Sequence, residues 1–526
     1  MLTRRFSSSW TALPGIERWR RSPWRLDPAL PWVAAVGLLL VSATVRLRQF
    51  GAAFWIDDGI AMGIASHPLR EIGSVLRQDG SPPLYYGLLH GWTAVFGGSE
   101  QAAYALSLLF ALICIPVAWW AGRSLFDPRA GWMCAGVAAF NPVLTQYSGQ
   151  ARMYTLVVLL SLVASAAFAH AFLLGRRRML WLFGAALTLL LYTHSWGIFF
   201  GVGCAAAVAP CWWLRAPGAP RRQLLRDALW SFAIVAVAFA PWLPVLVSQA
   251  GHTGAPWSIA PARSVLVWMS AYVIGAALVS PLTLAAATGF ERERRQGRPE
   301  RLAVALVLTV LLVVTLVVGW KVGRLTHVWA PRYSAVGVGP AVLLIGAGLA
   351  WAGRLGIVCL LLMVPGWLPP VATSISTKSN VAQDLRRSRT HARADDLVLV
   401  TQPELMPVVR YYLGSAPRYA STLGAAPDPQ VMDWRDALVR LRATRAAALT
   451  PLLDRVPAGG RVIVVRPKGS PANVAWPRLI HLRTRQWLRV LAGDPRFRPV
   501  FRTARGYRLA GLNAVAVLVA ERRRDG

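Results

Sequence analysis

Apolar positions run down most of this chain in blocks about as long as a membrane crossing. A crossing helix needs about 20 mostly apolar residues. Blocks of that kind recur at roughly 30–47, 102–121, 130–146, 154–174, 179–197, 198–214, 228–247, 264–288, 302–320, 334–351 and 354–370. They predict about eleven transmembrane helices. The first block has no small-residue cleavage site and follows nearly thirty residues of basic tail, so it reads as a retained anchor and not a signal peptide.

Two stretches depart from the pattern. The stretch 50–101 is far longer than a link between neighbouring helices needs to be. Within it, Ile60, Ile64, Ile72, Val75 and Leu76 are interspersed with His67, Arg70 and Arg77, which predicts a helix over 59–77 lying in the membrane interface. Pro82-Pro83 ends that helix, and the apolar but short run 84–96 predicts a second interfacial helix. From about Thr373 the apolar runs shorten and charges return. Residues 395–401, 461–466 and 514–520 read as buried strands, and 433–447 as an Arg-rich amphipathic helix. Strands alternating with helices imply an α/β unit. The expected fold class is therefore mainly α, a polytopic transmembrane helical bundle with interfacial helices in its first outer loop and a C-terminal extracytoplasmic α/β domain. The expected divisions are a basic tail (1–29), a transmembrane domain (30–372, first outer loop 50–101) and the C-terminal domain (373–526). No internal repeat is visible, unlike many transporters built from paired halves.

Composition agrees with a membrane protein. Of 526 residues, 55% are apolar and only 15% charged, too few charges to coat a soluble surface of this size. Mean hydropathy is +0.44. The net charge of +34 would suit a nucleic-acid binder, but its distribution argues otherwise. Arg4, Arg5, Arg18, Arg20, Arg21 and Arg25 precede the first span; later clusters are Arg176–Arg178, then Arg215, Arg221, Arg222 and Arg226, then Arg292, Arg294, Arg295 and Arg298. With eleven spans all of these fall on the side of the N-terminus, the positive-inside signature. The N-terminus is thus expected in the cytoplasm of a bacterial cell and everything after about Val371 outside its membrane, with no nucleic-acid partner. The five cysteines sit in or beside apolar runs without metal-ligand spacing and read as core residues.

Candidate chemistry gathers on the outer side. Trp55-Ile56-Asp57-Asp58 places two carboxylates directly after a span, in a chain with only 23 acids. Such carboxylates are expensive at a membrane unless exposed, paired or functional. One reading is a general base taking a proton from an acceptor hydroxyl; the other is a capping residue for a helix beginning near Gly59. The run Tyr147-Ser148-Gly149-Gln150-Ala151-Arg152-Met153-Tyr154 sets an Arg at the outer end of a span. There it either snorkels to headgroups or forks onto a phosphate. His194, and Arg324, His327, Arg332 and Tyr333, reach the same side in the expected topology.

Together, Trp55-Ile-Asp57-Asp58, Pro82-Pro83-Leu84-Tyr85-Tyr86, the 147–154 run, Thr193-His194 and Pro331-Arg332-Tyr333 resemble the GT-C superfamily of membrane glycosyltransferases, in particular bacterial relatives of the protein O-mannosyltransferase group, family 39. The similarity covers about Phe50 to Ala350. It implies inverting transfer of a sugar from a polyprenyl-phosphate donor to a glycan, lipid or protein hydroxyl outside the cell, with Asp57 or Asp58 as base. Arg152, Tyr154, Arg332, Tyr333 and Arg324 are then expected at the donor phosphate and lipid, and Tyr85, Tyr86, Tyr147, Gln150 and His194 around the substrate. Three positions depart from the family pattern: Asp58 stands for the usual Glu, Ser81 for a His before the Pro pair, and Tyr104 for an Arg. A divalent cation on Asp57-Asp58 is left open, as is a lipid or glycan transporter without catalysis. In the C-terminal part Tyr411-Tyr412 follows an expected strand–helix step, no GxGxxG is present, and Arg435, Arg440, Arg442, Arg445, Arg483, Arg485 and Arg489 form either a headgroup-docking or a solvated surface.

Overall fold

The computed structural model describes residues 30–214, 221–277, 280–368, 379–387, 392–468, 473–503 and 514–524. The basic tail 1–29, Arg215 and the junction near 372 lie outside these. The architecture is a helical bundle followed by a small sheet, as the apolar blocks imply. Among the described residues, five helices are long and apolar enough to cross a membrane: Glu100–Leu125, Tyr154–Leu173, Arg221–His252, Pro299–Thr326 and Pro331–Ala352. Shorter apolar helices join them, among them Pro31–Leu47, Met179–Thr193, Gly197–Trp213 and Arg354–Trp367.

Two helices form the centre. Tyr154–Leu173 and Pro331–Ala352 are each 89% buried along their apolar windows, against 28% for the peripheral Arg221–His252. Their backbones approach closely at Gly339, where a Cβ would come within 2.4 Å of the Leu162 nitrogen. Small residues allow such close approach where lipid supplies no hydrophobic drive for association. The N-terminal ends of both central helices point to one end of the bundle, where the positive ends of their dipoles lie.

Among the described residues, arginine-rich helix ends lie at the opposite end. Arg177 grips Asp227 through two bonds of 2.9 and 2.8 Å. Arg301 joins Asp127 at 2.9 Å and the buried Glu293 at 3.0 Å, and the Trp351 indole donates to Asp127 at 3.2 Å. These pairs tie together helix ends that are far apart in sequence.

Several expected helices are interrupted. The block 264–288 is two helices, Val265–Ile274 and Pro281–Arg295. Gly275 adopts a left-handed φ of 80°, and Pro281, which has no N–H, starts the second helix. The block 130–146 breaks at Asn141, whose side chain caps Val143 and Leu144 at the start of Pro142–Ser148. The helix expected over 59–77 is instead Ile56–Ala65 and Leu69–Asp79, divided by Pro68. The short helix expected over 84–96 is Leu84–Phe96. The helix expected over 433–447 is only Ala437–Ala443.

Among the described residues the sheet has six strands: β1 (Leu397–Val400), β2 (Arg418–Ser421), β3 (Gly424–Ala425), β4 (Arg461–Pro467), β5 (Phe497–Arg502) and β6 (Val515–Arg522), in the order β3-β2-β1-β4-β6-β5. β1 runs parallel to β2 and β4; β6 runs antiparallel to β4 and β5. Period-two alternation divides its side chains between two cores. Val398, Val400, Ile463, Val465, Val517 and Val519 join the core shared with the bundle. Leu397, Leu399, Val462, Val464 and Ala520 pack on Leu453, Trp487 and Leu491 instead. Thus one face of the sheet is tied to the membrane part through the helices between the two.

Candidate functional site

The helix Ile56–Ala65 sets the site. Asp58 occupies its third position, where a carboxylate can reach back to the capping residue. It is fully buried and committed to the surrounding chain. Its Oδ1 accepts from the Ala151 amide at 2.8 Å, and its Oδ2 from the Trp55 amide and the Tyr104 hydroxyl, each at 3.4 Å. Tyr104 also donates to the Ala52 carbonyl at 3.1 Å. The capping reading of the acidic pair therefore describes Asp58.

Asp57 lies 100° round the same helix and faces elsewhere. Its Oδ2 is 3.7 Å from Nη2 of Arg332, and the two side chains retain 13% and 22% of their exposure. Oδ2 makes no hydrogen bond within the protein; nor do Nε of Arg152, Nε of Arg332 or the hydroxyl of Tyr154, all of them buried atoms. Arg152 is held by its backbone: Ala151 before it is bound by Asp58, and its own carbonyl accepts from Ser107 at 3.2 Å. Burial disfavours the charge of Arg152, but the field of Asp57 and its neighbours outweighs this and raises its pKa.

A second carboxylate enters from Asp79, the last residue of Leu69–Asp79. Burial raises its pKa, opposed by a hydrogen bond with Ser81 and the charge of Arg152. The Tyr86 hydroxyl donates to it at 3.4 Å. An acid at a helix C-terminus stands against the dipole, so Asp79 has no capping role to explain it.

Aromatic rings form the rest of the wall. Tyr147 and Tyr154 meet at a tilt with 4.6 Å between centroids, Tyr154 and His194 at 5.8 Å, and His194 and Tyr333 at 5.2 Å. Nδ1 of His194 accepts from the Trp196 amide at 3.1 Å, leaving Nε2 to carry the proton of the neutral ring. The Tyr272 hydroxyl donates to that of Tyr147 at 3.1 Å. Arg332 lies over Trp257 at 5.1 Å and Tyr333 at 5.8 Å, and Arg152 over Tyr154 at 5.9 Å.

The structure thus gathers Asp57, Arg152, Tyr154, Arg332, Tyr333, His194, Tyr147 and Tyr86 at one end of the bundle. Gln150 is buried nearby with its Oε1 unbonded. Tyr85 lies behind the site, its hydroxyl 3.0 Å from Ser107, the residue that holds the Arg152 carbonyl. Arg324 is not part of the cluster: it is exposed, bonded to the Pro261 carbonyl and laid on Trp320. Sequence reasoning missed Trp257 and Tyr272 and gave no role to Asp79 or Tyr104. Only Asp79 had a local signal, an acid beside Gly80-Ser81-Pro82 in an acid-poor chain. Asp57 and Asp58 do not face one site in this structure, because Asp58 is turned to Ala151 and Tyr104. Among the described residues no group of three or more His, Cys, Asp or Glu side chains is placed to hold a metal ion.

No family model matches the chain, and neither does any curated protein. Solved structures do. ArnT from Cupriavidus metallidurans in the apo state aligns with a TM-score of 0.59 at 14% identity, over 95% of this chain and 99% of that one. ArnT bound to undecaprenyl phosphate aligns at 0.55 and 15%, over 94% and 98%. The arabinofuranosyltransferase AftD from Mycobacteria aligns at 0.51 and 15%, over 93% of this chain and 40% of that much longer one. Alignment over nearly the whole length of ArnT, sheet included, shows that this chain has the GT-C fold of those membrane glycosyltransferases.

Proposed function

We propose that this chain is a membrane-bound GT-C glycosyltransferase that moves a sugar from a polyprenyl-phosphate donor to an acceptor hydroxyl, with inversion. The observation that carries the reading is the meeting of Asp57, Arg152 and Arg332, each with a buried polar atom that makes no hydrogen bond within the protein. Such atoms cost about 1–3 kcal/mol each when left unbonded, and a phosphodiester with a hydroxyl beside it complements all three.

In this reading the donor phosphate lies between the guanidiniums, at the N-terminal ends of the two central helices, where an anion is favoured. Asp57 takes the proton of the acceptor hydroxyl. The oxygen attacks the anomeric carbon from the face opposite the phosphate, and the bond from that carbon to the phosphate oxygen breaks. The electron pair leaves on polyprenyl phosphate, whose growing charge Arg152 and Arg332 offset. Asp79 and the aromatic wall face the sugar. That ArnT has been captured with undecaprenyl phosphate on the same fold supports a lipid phosphate as donor carrier. The eleven-crossing topology goes with this reading: arginine-rich helix ends in the cytoplasm of a bacterial cell, and the Asp57 cluster with residues 373–526 outside.

The test is transfer from a panel of polyprenyl-phosphate sugars by purified protein in nanodiscs, wild type beside Asp57→Asn. Loss of a general base lowers the rate by about 10²–10⁴-fold. Full activity in Asp57→Asn removes the base assignment. Lipid flipping without transfer from any donor replaces the enzyme by a transporter using the same two arginines.

A further inference from the structure

Three successive residues of the helix Ile56–Ala65 face three different structures. Asp57 faces the arginines, Asp58 the membrane part through Ala151, and Gly59 the C-terminal part. At Gly59 a Cβ would lie 2.3 Å from Cγ2 and 2.8 Å from the backbone nitrogen of Val408. One turn on, a Cβ at Gly63 would lie 1.9 Å from the Gln430 carbonyl oxygen. Glycines four apart give the helix a bare face, and backbone from the 406–413 helix and the 430 loop lies directly on it.

The entry to the helix is held from the same side. The Phe54 amide donates to the Tyr412 hydroxyl at 2.9 Å, and that hydroxyl donates in turn to Glu100 at the start of a transmembrane helix. Tyr411 packs its ring 4.7 Å from Phe54 and donates to the Gly98 carbonyl at 3.0 Å. Further along, Gln430 bonds Ser66 at 2.7 Å, His67 meets Asp428 at 2.9 Å, and the Trp434 amide donates to the Gln78 carbonyl at 2.9 Å.

We propose that Val408, Tyr412 and Gln430 are positioning residues for Asp57: the C-terminal part sets the height and rotation of the helix that presents this carboxylate to the arginines. The inference rests on Asp57 being the base. It also gives the sheet a role that does not need a ligand of its own, since the face buried against the bundle carries the 406–413 helix onto Gly59.

The experiment uses the full chain with Gly59→Ala, Tyr412→Phe and, as control, Gly73→Ala, where a Cβ meets nothing within 4 Å. A methyl at Gly59 forces the helix to retreat by about 1 Å, and misplacement of that size costs on the order of 10²-fold in rate. The expected result is a kcat fall of about that size in Gly59→Ala and about tenfold in Tyr412→Phe. KM for the donor changes less than kcat, because Arg332 stands on another element and Arg152 keeps the Ser107 bond to its carbonyl. Gly73→Ala matches wild type. Hydrogen exchange gives a readout independent of turnover: amides 54–60 exchange faster in Tyr412→Phe while those around Arg152 do not. Wild-type kcat and wild-type exchange in both variants overturn the inference and leave the transferase reading intact. Full activity in Asp57→Asn overturns the reading itself.

Discussion

Replacing Asp58 by Ala separates the two adjacent carboxylates by stability instead of by activity. The Ala151 amide, fully buried, loses the acceptor it holds at 2.8 Å. An unsatisfied buried amide costs about 1–3 kcal/mol. The Trp55 amide, held at 3.4 Å, loses its cap, worth about 1 kcal/mol. The Tyr104 hydroxyl keeps the Ala52 carbonyl and adds little. The expected loss is therefore about 2–4 kcal/mol. Asp57→Ala removes no hydrogen bond, only a partly exposed ion pair at 3.7 Å, worth at most about 1 kcal/mol. Asp58→Asn falls between, since its oxygen still accepts from Ala151 while its amide group turns toward the Trp55 N–H. Unfolding in a denaturing detergent series, followed by tryptophan fluorescence, ranks the variants: Asp58→Ala least stable, Asp58→Asn next, Asp57→Ala near wild type. Activity ranks them differently, with Asp57→Ala the most impaired. If Asp57→Ala proves as unstable as Asp58→Ala, or Asp58→Ala as stable as wild type, the assignment of roles is wrong.

Three more outcomes follow from the same geometry. Arg152→Lys and Arg332→Lys keep the charge but lose the planar fork; each is expected to lower kcat/KM for the donor by about 10²-fold, read by steady-state kinetics against polyprenyl-phosphate sugar. Asp79→Asn tests the second carboxylate. Because burial raises its pKa from 3.8, Asp79 favours the fold below that value and this contribution is lost as pH rises through the folded pKa. The always-neutral Asn is therefore expected to raise the melting temperature at pH 7, with the gain shrinking toward pH 4, and to weaken sugar binding. The contact of His67 with Asp428 has its own window. Their hydrogen bond raises the His67 pKa from 6.5 and lowers that of Asp428 from 3.8. The His contribution is complete below 6.5 and lost as pH rises through the higher folded value; the Asp contribution is complete above 3.8 and lost as pH falls through the lower one. His67→Gln is expected to flatten a melting-temperature series across that range, and an unchanged series would remove the contact from the account.

Much of the bundle was legible because an apolar run of membrane length needs no partner to declare itself. What stayed hidden were interruptions written in one or two residues, such as Gly275 with Pro281 and Asn141 with Pro142, which stop a helix while hydropathy continues unchanged. Strands in the sheet divided similarly. β4 and β6 are buried apolar runs, whereas the edge strand β5 (Phe-Arg-Pro-Val-Phe-Arg) carries a proline and a register shift, and its pattern is that of a loop. The aromatic wall was half visible: Tyr147, Tyr154 and His194 sit in recognisable runs, but Trp257 and Tyr272 reach the site only through contacts with residues far away in the chain.

The acidic pair shows how small the missing information was. Starting the helix at Gly59 leaves Asp57 and Asp58 together in a loop, interchangeable as base, cap or cation ligands. Starting it at Ile56, as the structure does, separates the two carboxylates by 100°. One is then buried against Ala151 and consumed by capping, and the other is turned toward two arginines. The same three-residue shift puts Asp57 on the helix whose Gly59 and Gly63 face Val408 and Gln430, which makes the C-terminal part a neighbour of the reacting carboxylate. A local choice of helix start, too fine for periodicity to resolve, therefore decides both which acid is free for chemistry and what holds it in place.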